Sequence, residues 1–173
     1  MAPAPSGLKT SRLVLRPQEE ADAPALFAIL SDERAMRFWN RSTITRLAVV
    51  EELVREQQAA MAQGLCCYWS LAEGGEVIGS IDLSLIRDGS AELGFLLRPD
   101  RWGQGLASEA VAAVAGYGFQ VLHLTRLAAA VQAENHAAAQ VLEKNGFGRV
   151  ESRPVRLAGG QSKTCDFYLR VNS

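Results

Sequence analysis

The chain has 173 residues, of which 48% are hydrophobic, so it is long enough for one domain with a sizeable core. Its 18 basic and 19 acidic side chains give a formal net charge of −1, whereas nucleic-acid-binding proteins usually carry a basic excess. No apolar run reaches the roughly 18 residues of a membrane span, and the three cysteines form neither a disulfide framework nor a metal motif. These features predict a soluble, cytoplasmic protein that binds neither nucleic acid nor membrane.

The N-terminal half predicts one strand, two helices and a three-stranded meander. Residues 1–7, rich in Ala, Pro and Ser, predict a loose tail before a single domain over residues 8–173. Apolar and polar residues alternate around Leu15, which predicts a strand that ends at Pro17. The other predicted elements are helices over about 19–30 and 45–63, and strands over 66–71, 76–86 and 91–97.

The C-terminal half alternates helices and strands. Apolar residues at helical spacing begin just after Gly103 and predict a long helix. A shorter helix is predicted to begin after Asn135 as N-cap and to end at Gly146. Strands are predicted at 126–131, 147–156 and 164–171. A strand–helix–strand crossover joins parallel neighbours. The order β-α-α-β-β-β-α-β-α-β-β therefore predicts an α+β fold, with a mixed, mostly antiparallel seven-stranded sheet flanked by about four helices.

The segment between the strand at 91–97 and the long helix contains Gly103 and Gly105. The first N–H groups of a helix lack partners and carry partial positive charge, and glycines let a phosphate approach them closely. The spacing matches neither a P-loop nor a dinucleotide-binding GxGxxG, because Ser108 occupies the position of the third glycine. A tight turn that needs positive φ is the alternative explanation.

A second informative segment, Asn135–Phe147, lies one strand downstream. Together the two segments resemble the core motifs of the GNAT superfamily of N-acetyltransferases. Residues 102–107, Trp-Gly-Gln-Gly-Leu-Ala, correspond to its acyl-CoA loop, although Trp102 replaces the Gln or Arg that usually opens it. Residues 135–147 match the second motif, which runs from Asn to Gly-Phe. Thr10–Pro17, 34–40 and 102–110 are similar to the RimJ/RimL-type branch, which includes ribosomal-protein N-terminal acetyltransferases, and the resemblance covers the chain from about residue 8.

The resemblance implies acetyl-CoA as co-substrate, no metal, and an amine acceptor that is either a protein or peptide N-terminus or a small molecule, in a monomer or homodimer. The strand backbone would bind the pantetheine arm, the loop amides would hold the diphosphate, and a strand amide near Leu97 would stabilise the oxyanion. The implied cofactor-binding residues are Phe95, Leu97, Trp102, Gly103, Gln104, Gly105, Ala107, Ser108 and Asn135.

The catalytic groups are less clear from the sequence. An amine must lose a proton before it attacks; Glu92 is the candidate base, with Asp82 on the neighbouring strand as an alternative. Alternatively, Glu92 has a structural role and forms an ion pair with an arginine on a neighbouring strand. Leu142 stands where many superfamily members have a tyrosine general acid, and Ala138 where this branch often has serine. The missing donors leave open a non-catalytic acyl-CoA-binding regulatory module, although coenzyme A, with a thiol pKa of about 8.5, can leave without a dedicated acid.

Overall fold

One open, eight-stranded sheet forms the centre of the computed structural model, which describes residues 4–173. Neighbouring strands lie in the order β1-β2-β3-β4-β5-β6-β8-β7, and all are antiparallel except the parallel pair β5 and β6. The strands are β1 (Leu8–Lys9), β2 (Val14–Pro17), β3 (Cys67–Glu73), β4 (Glu76–Arg87), β5 (Ser90–Leu97), β6 (Arg126–Gln132), β7 (Gly148–Arg156) and β8 (Ser162–Val171).

Five α-helices in the described chain cover the two faces of the sheet. They are α1 (Ala23–Leu30), α2 (Glu33–Met36), α3 (Leu47–Ala62), α4 (Leu106–Gln120) and α5 (His136–Lys144). The larger apolar core lies under α4 and α5, and a second one lies between the opposite face and α1 to α3. In the larger core, the ring of the fully buried Trp69 meets Tyr117 edge to face at 5.3 Å between ring centroids. Within residues 4–173 no helix combines the length and apolar character needed to cross a membrane.

The predicted fold class is confirmed, whereas the predicted numbers of strands and helices were each one too low. The sheet has an eighth strand, β1, and a fifth helix, α2, which have two and four residues. Neither is long enough to show a hydrophobic period, so tertiary context decides their structure. Of the predicted tail, residues 1–3 lie outside the described residues, and the carbonyl of Ser6 accepts a 2.9 Å hydrogen bond from the indole of Trp69.

The sheet opens between β5 and β6. These two strands pair only where Ser90–Glu92 lie beside Arg126–Ala128, after which they separate. The rest of β5 remains paired with β4 on its other side, from Leu93 to Leu97. The separation leaves one long edge of an internal strand without a neighbouring strand, and this edge leads directly into the glycine loop.

An ion pair between the buried Asp22 and the partly exposed Arg16 fixes the start of α1 against β2 and β3. Asp22, only 2% exposed, accepts hydrogen bonds from both terminal nitrogens of Arg16, at 2.6 and 2.9 Å, and from the hydroxyl of Ser70, at 2.6 Å. Burial acts to raise the pKa of Asp22, but the bonds from Arg16 and Ser70 outweigh it and hold that pKa below its ordinary value. This pair therefore stabilises the helical cover on one face of the sheet above the unfolded-state pKa, and the stabilisation is lost as pH falls through the folded-state pKa.

We expect Asp22→Asn to lower the free energy of unfolding at pH 7 by about 2 to 4 kcal/mol, because it leaves Arg16 without its buried counter-charge. Urea denaturation measures the change, with Glu52→Gln as the control, since Glu52 forms only an exposed pair with Arg55 and should contribute under about 0.5 kcal/mol. The difference between wild type and Asp22→Asn should shrink as pH falls below 4. A loss of less than about 0.5 kcal/mol at pH 7 would contradict this role for Asp22.

Candidate active site

The open edge of β5 presents backbone groups to the gap that are not bonded to a neighbouring strand. The N–H of Arg98 donates to the carbonyl of Ile78 at 2.7 Å, so the backbone groups of Arg98 point towards β4. Since these groups alternate along a strand, those of Phe95 and Leu97 point the other way, into the gap. The structure therefore places both of these predicted pantetheine-binding residues where an extended ligand can lie beside the strand.

The two loop glycines adopt the left-handed conformation that their sequence position predicts. Gly103 has φ of 72° and Gly105 has φ of 80°, and Gly105 is the N-cap of α4. A Cβ at Gly103 would meet no described atom within 4 Å, so the loop is open at this point. No side chain in the described chain caps α4, and its first amides remain available as donors to an anion.

Ion pairs hold the turn that precedes these glycines. Arg98 lies 2.6 Å from both Glu76 and Asp100, and Arg101 lies 2.9 Å from Glu73. These contacts connect the short 3₁₀ turn at Pro99–Arg101 to β3 and β4. The turn is thereby fixed to the sheet, and it sets the position of the glycine loop.

Trp102 contacts the open strand edge directly. Its indole N–H donates to the carbonyl of Leu97 at 2.8 Å, although about half of the residue, 49%, is exposed. The carboxamide of Gln104 donates weakly to the carbonyl of Asp100, at 3.4 Å. Ala107 packs against the larger core.

The second motif is tied to the first by side-chain contacts. The hydroxyl of Ser108 accepts a hydrogen bond from the side chain of Asn145 at 3.0 Å, which connects α4 to α5. Asn135 caps α5 by accepting from the N–H of Ala138 at 3.2 Å. Leu142 is fully buried in the core. The position at which many superfamily members have a tyrosine acid therefore contributes packing here.

Two carboxylates lie on the face of β4 and β5 opposite α4. Glu92 shares this face with Gly94 and Leu96, and Leu96 packs against the core of α1 and α3. Asp82 lies directly across from Gly94, and a Cβ at Gly94 would come within 2.9 Å of its Oδ1. Gly94 therefore gives the carboxylate of Asp82 access to the middle of β5.

Glu92 is exposed and lies where the pairing of β4 with β5 becomes irregular. Glu92 faces Ser84 of β4, and the β4–β5 register shifts between Ser84 and Arg87. Leu85, in this irregular stretch of β4, has φ of 50°. A cavity of about 120 Å³ adjoins this position, lined by Leu85, Arg87, Ser90, Ala91, Glu92, Arg126, Ala128 and Leu169.

The carboxylate of Asp82 has a pKa well above its ordinary value. Desolvation raises its pKa to about 7, and the charge of Glu92 adds to this shift, while a hydrogen bond from Ser84 acts against it. The facing residue, Tyr68, lies on the same face, and burial raises its pKa. Gly94, a glycine inside strand β5, is the sequence signal for the close approach of Asp82.

The adjacent cysteines Cys66 and Cys67 are both buried. Burial raises the pKa of Cys66 to about 11 and that of Cys67 to about 12, so neither is a thiolate at neutral pH. Within residues 4–173, no three His, Cys, Asp or Glu side chains lie together in a group suited to a metal ion.

Comparison with known proteins identifies the family. The family model described as acetyltransferase (GNAT) domain matches residues 12–148. The chain is 33% identical to the uncharacterized N-acetyltransferase p20 of Bacillus licheniformis, over 81% of each chain. It is 27% identical to spermidine N(1)-acetyltransferase of Escherichia coli, over 77% of this chain and 71% of that one.

Solved structures show the same fold. A crystal structure of RimL, a ribosomal L7/L12 α-N-protein acetyltransferase, superimposes with a TM-score of 0.85 at 19% identity, covering 98% of this chain and 93% of the other. The open strand edge, the left-handed glycine loop and these matches agree with one another. The chain belongs to the GNAT family of N-acetyltransferases.

Proposed function

We propose that this N-acetyltransferase binds acetyl-CoA in the gap between β5 and β6 and transfers the acetyl group directly to a primary amine. The observation that carries the proposal is the edge of β5 that has no neighbouring strand, which runs into a helix N-terminus without a side-chain cap among the described residues. An acyl-CoA has the matching shape and chemistry, because its pantetheine arm offers amides to a strand edge and its diphosphate suits a helix N-terminus.

The cofactor-binding residues follow from this placement. The backbones of Phe95 and Leu97 bind pantetheine, and the amides from Gly103 to Ser108, which include Ala107, hold the diphosphate. Trp102 shields the end of the strand, where Leu97 already accepts from its indole. Two polar side chains add contacts: Gln104 on the loop, and Asn135, whose carboxamide nitrogen remains available to the pantetheine arm while its oxygen caps α5.

The acceptor amine approaches from the face that carries Asp82 and Glu92. An amine near its own pKa is partly protonated at neutral pH, so a base must remove a proton before attack. Asp82, with its pKa of about 7, accepts this proton, and Glu92 is the second carboxylate that raises the pKa of Asp82. The amine nitrogen then bonds to the acetyl carbonyl carbon, and the carbon–sulfur bond breaks. As the amide forms, its nitrogen gives up its second proton to solvent. Coenzyme A leaves as a thiolate that takes a proton from solvent, since Leu142 supplies none.

The acceptor class follows from the charge of this face and from the relatives. Two carboxylates favour a cationic amine, and the relatives whose names state an acceptor act on spermidine or on the N-terminus of a ribosomal protein. We therefore propose a primary amine on a peptide N-terminus or a polyamine. Release of free thiol from acetyl-CoA with peptides, polyamines and amino acids separates these acceptors. Binding of CoA without thiol release from any of them would instead indicate a non-catalytic acyl-CoA-binding module.

We expect Gly105→Glu to abolish CoA binding, because it places a carboxylate in the diphosphate site at a residue with φ of 80°. Isothermal titration calorimetry measures the affinity, and circular dichroism checks the fold. Gly160→Glu is the matched control, since Gly160 has φ of 84°, lies in the β7–β8 turn and has no described atom within 4 Å of its Cβ position. Equal CoA affinity of the two variants would contradict the placement of the diphosphate.

We expect Asp82→Asn to lower kcat by about 100-fold or more, the usual contribution of a general base. In the wild type, kcat/KM should rise with pH through an apparent pKa near 7. This rising limb of the pH profile should be absent in Asp82→Asn. Glu92→Gln removes a nearby negative charge, so it should keep most of the turnover and move the limb to lower pH. A Glu92→Gln variant without activity beside an active Asp82→Asn would assign the base to Glu92.

Stability provides a test of the Asp82 pKa that needs no acceptor. A carboxyl group with a raised folded-state pKa destabilises the fold progressively as pH rises from its unfolded value of 3.8 to about 7. We therefore expect Asp82→Asn to be more stable than wild type at pH 8, by roughly 1 to 3 kcal/mol, and equally stable at pH 4. Thermal melts of both proteins at the two pH values measure this difference. A stability advantage of Asp82→Asn over wild type that is smaller at pH 8 than at pH 4 would contradict the raised pKa.

A further inference from the structure

The segment before β2 is tied to the first turn of α4 by a network around Glu109. The hydroxyl of Thr10 donates to Glu109 Oε1, and the backbone N–H of Arg12 donates to the same oxygen at 2.8 Å. The guanidinium of Arg12 places Nε and Nη2 each 2.9 Å from Glu109 Oε2. Two residues close to the N-terminus therefore contact the helix that begins at the glycine loop.

The same guanidinium also contacts the glycine loop. Nη1 of Arg12 donates to the carbonyl of Gln104 at 2.8 Å. Its Nη2 lies 3.4 Å from the position that a Cβ at Gly105 would occupy. The Gln104–Gly105 peptide sets the direction of the first amides of α4, so Arg12 holds the peptide on which the proposed diphosphate site depends.

The charges of this network affect an anion at the loop. The carboxylate of Glu109 lies on the first turn of α4, where its charge repels any anion bound at the helix N-terminus. Arg12 compensates this charge at close range. A guanidinium has five N–H donors, and the contacts to Glu109 and Gln104 leave donors on both terminal nitrogens. The side chain of Arg12 is 45% exposed, which leaves it accessible to a ligand.

We propose that Arg12 is a positioning residue of the cofactor site, which holds the Gln104–Gly105 turn in its diphosphate-binding form and neutralises Glu109 beside it. This inference rests on the proposed binding of acetyl-CoA at the loop. The role is specific to the diphosphate end of the cofactor, because the contacts of Arg12 reach the loop and α4. The acetyl end lies further along β5, near Asp82 and Gly94.

The test compares Arg12→Gln, Arg12→Lys and wild type by calorimetry with CoA and by NMR titration with acetyl-pantetheine, which lacks the diphosphate. We expect Arg12→Gln to weaken CoA binding by at least tenfold and to change acetyl-pantetheine binding by less than twofold. Arg12→Lys should restore part of the CoA affinity, because it keeps the charge and loses the fork that bridges Glu109 and Gln104. Arg55→Gln, which breaks an exposed pair with Glu52, is the control and should bind CoA as wild type does.

A double variant separates the electrostatic effect from general loosening of the loop. If Glu109 repels the diphosphate once Arg12 is gone, Arg12→Gln with Glu109→Gln should bind CoA at least threefold more tightly than Arg12→Gln alone. CoA affinity of Arg12→Gln within twofold of wild type, or equal losses for CoA and acetyl-pantetheine, would overturn the inference. Wild-type protein that binds no CoA would overturn the proposed function itself. CoA binding by wild type is therefore measured before the variants are compared.

Discussion

The separation of β5 from β6 is the constraint on which the rest of the site depends. An internal strand normally has partners on both edges, and a buried donor or acceptor left unsatisfied costs about 1 to 3 kcal/mol. The edge of β5 beyond Glu92 therefore has to face water or a ligand. Because this strand runs directly into the turn before α4, one continuous segment presents a peptide-binding edge and then an anion-binding helix end. An elongated ligand with amides at one end and phosphates at the other satisfies both.

The charges near the loop leave the backbone, rather than a basic cluster, to form the proposed diphosphate site. Arg98 and Arg101 are paired with acidic residues and serve to hold the turn at Pro99–Arg101. Arg12 is likewise held by Glu109. With a formal net charge of −1, the chain has no large positive field to attract polyanions. Directed amides and the dipole of α4 therefore supply most of the attraction, and they act only on an anion that fits the loop.

The sequence predicted those features that have a local physical cause. The left-handed glycines, the Asn135 cap and the helix end at Gly146 follow from backbone sterics and unpaired helix termini, and the structure has all three. The two-residue β1 and the four-residue α2 are too short for a period, so they were missed. The sequence does not reveal the raised pKa of Asp82, because that shift comes from burial and from the charge of Glu92 in the folded chain.

Asp82 bears on the difference between a working enzyme and a binding module. A carboxylate with a raised pKa destabilises the fold at neutral pH, and an asparagine or serine at the same place would not. The chain also places a glycine opposite it, although glycine weakens a strand interior. Both features oppose stability, and the close approach of Asp82 Oδ1 requires the glycine. The role of base that we propose for Asp82 accounts for a carboxylate that titrates near neutrality, and it would give the enzyme a proton acceptor although Leu142 supplies no acid.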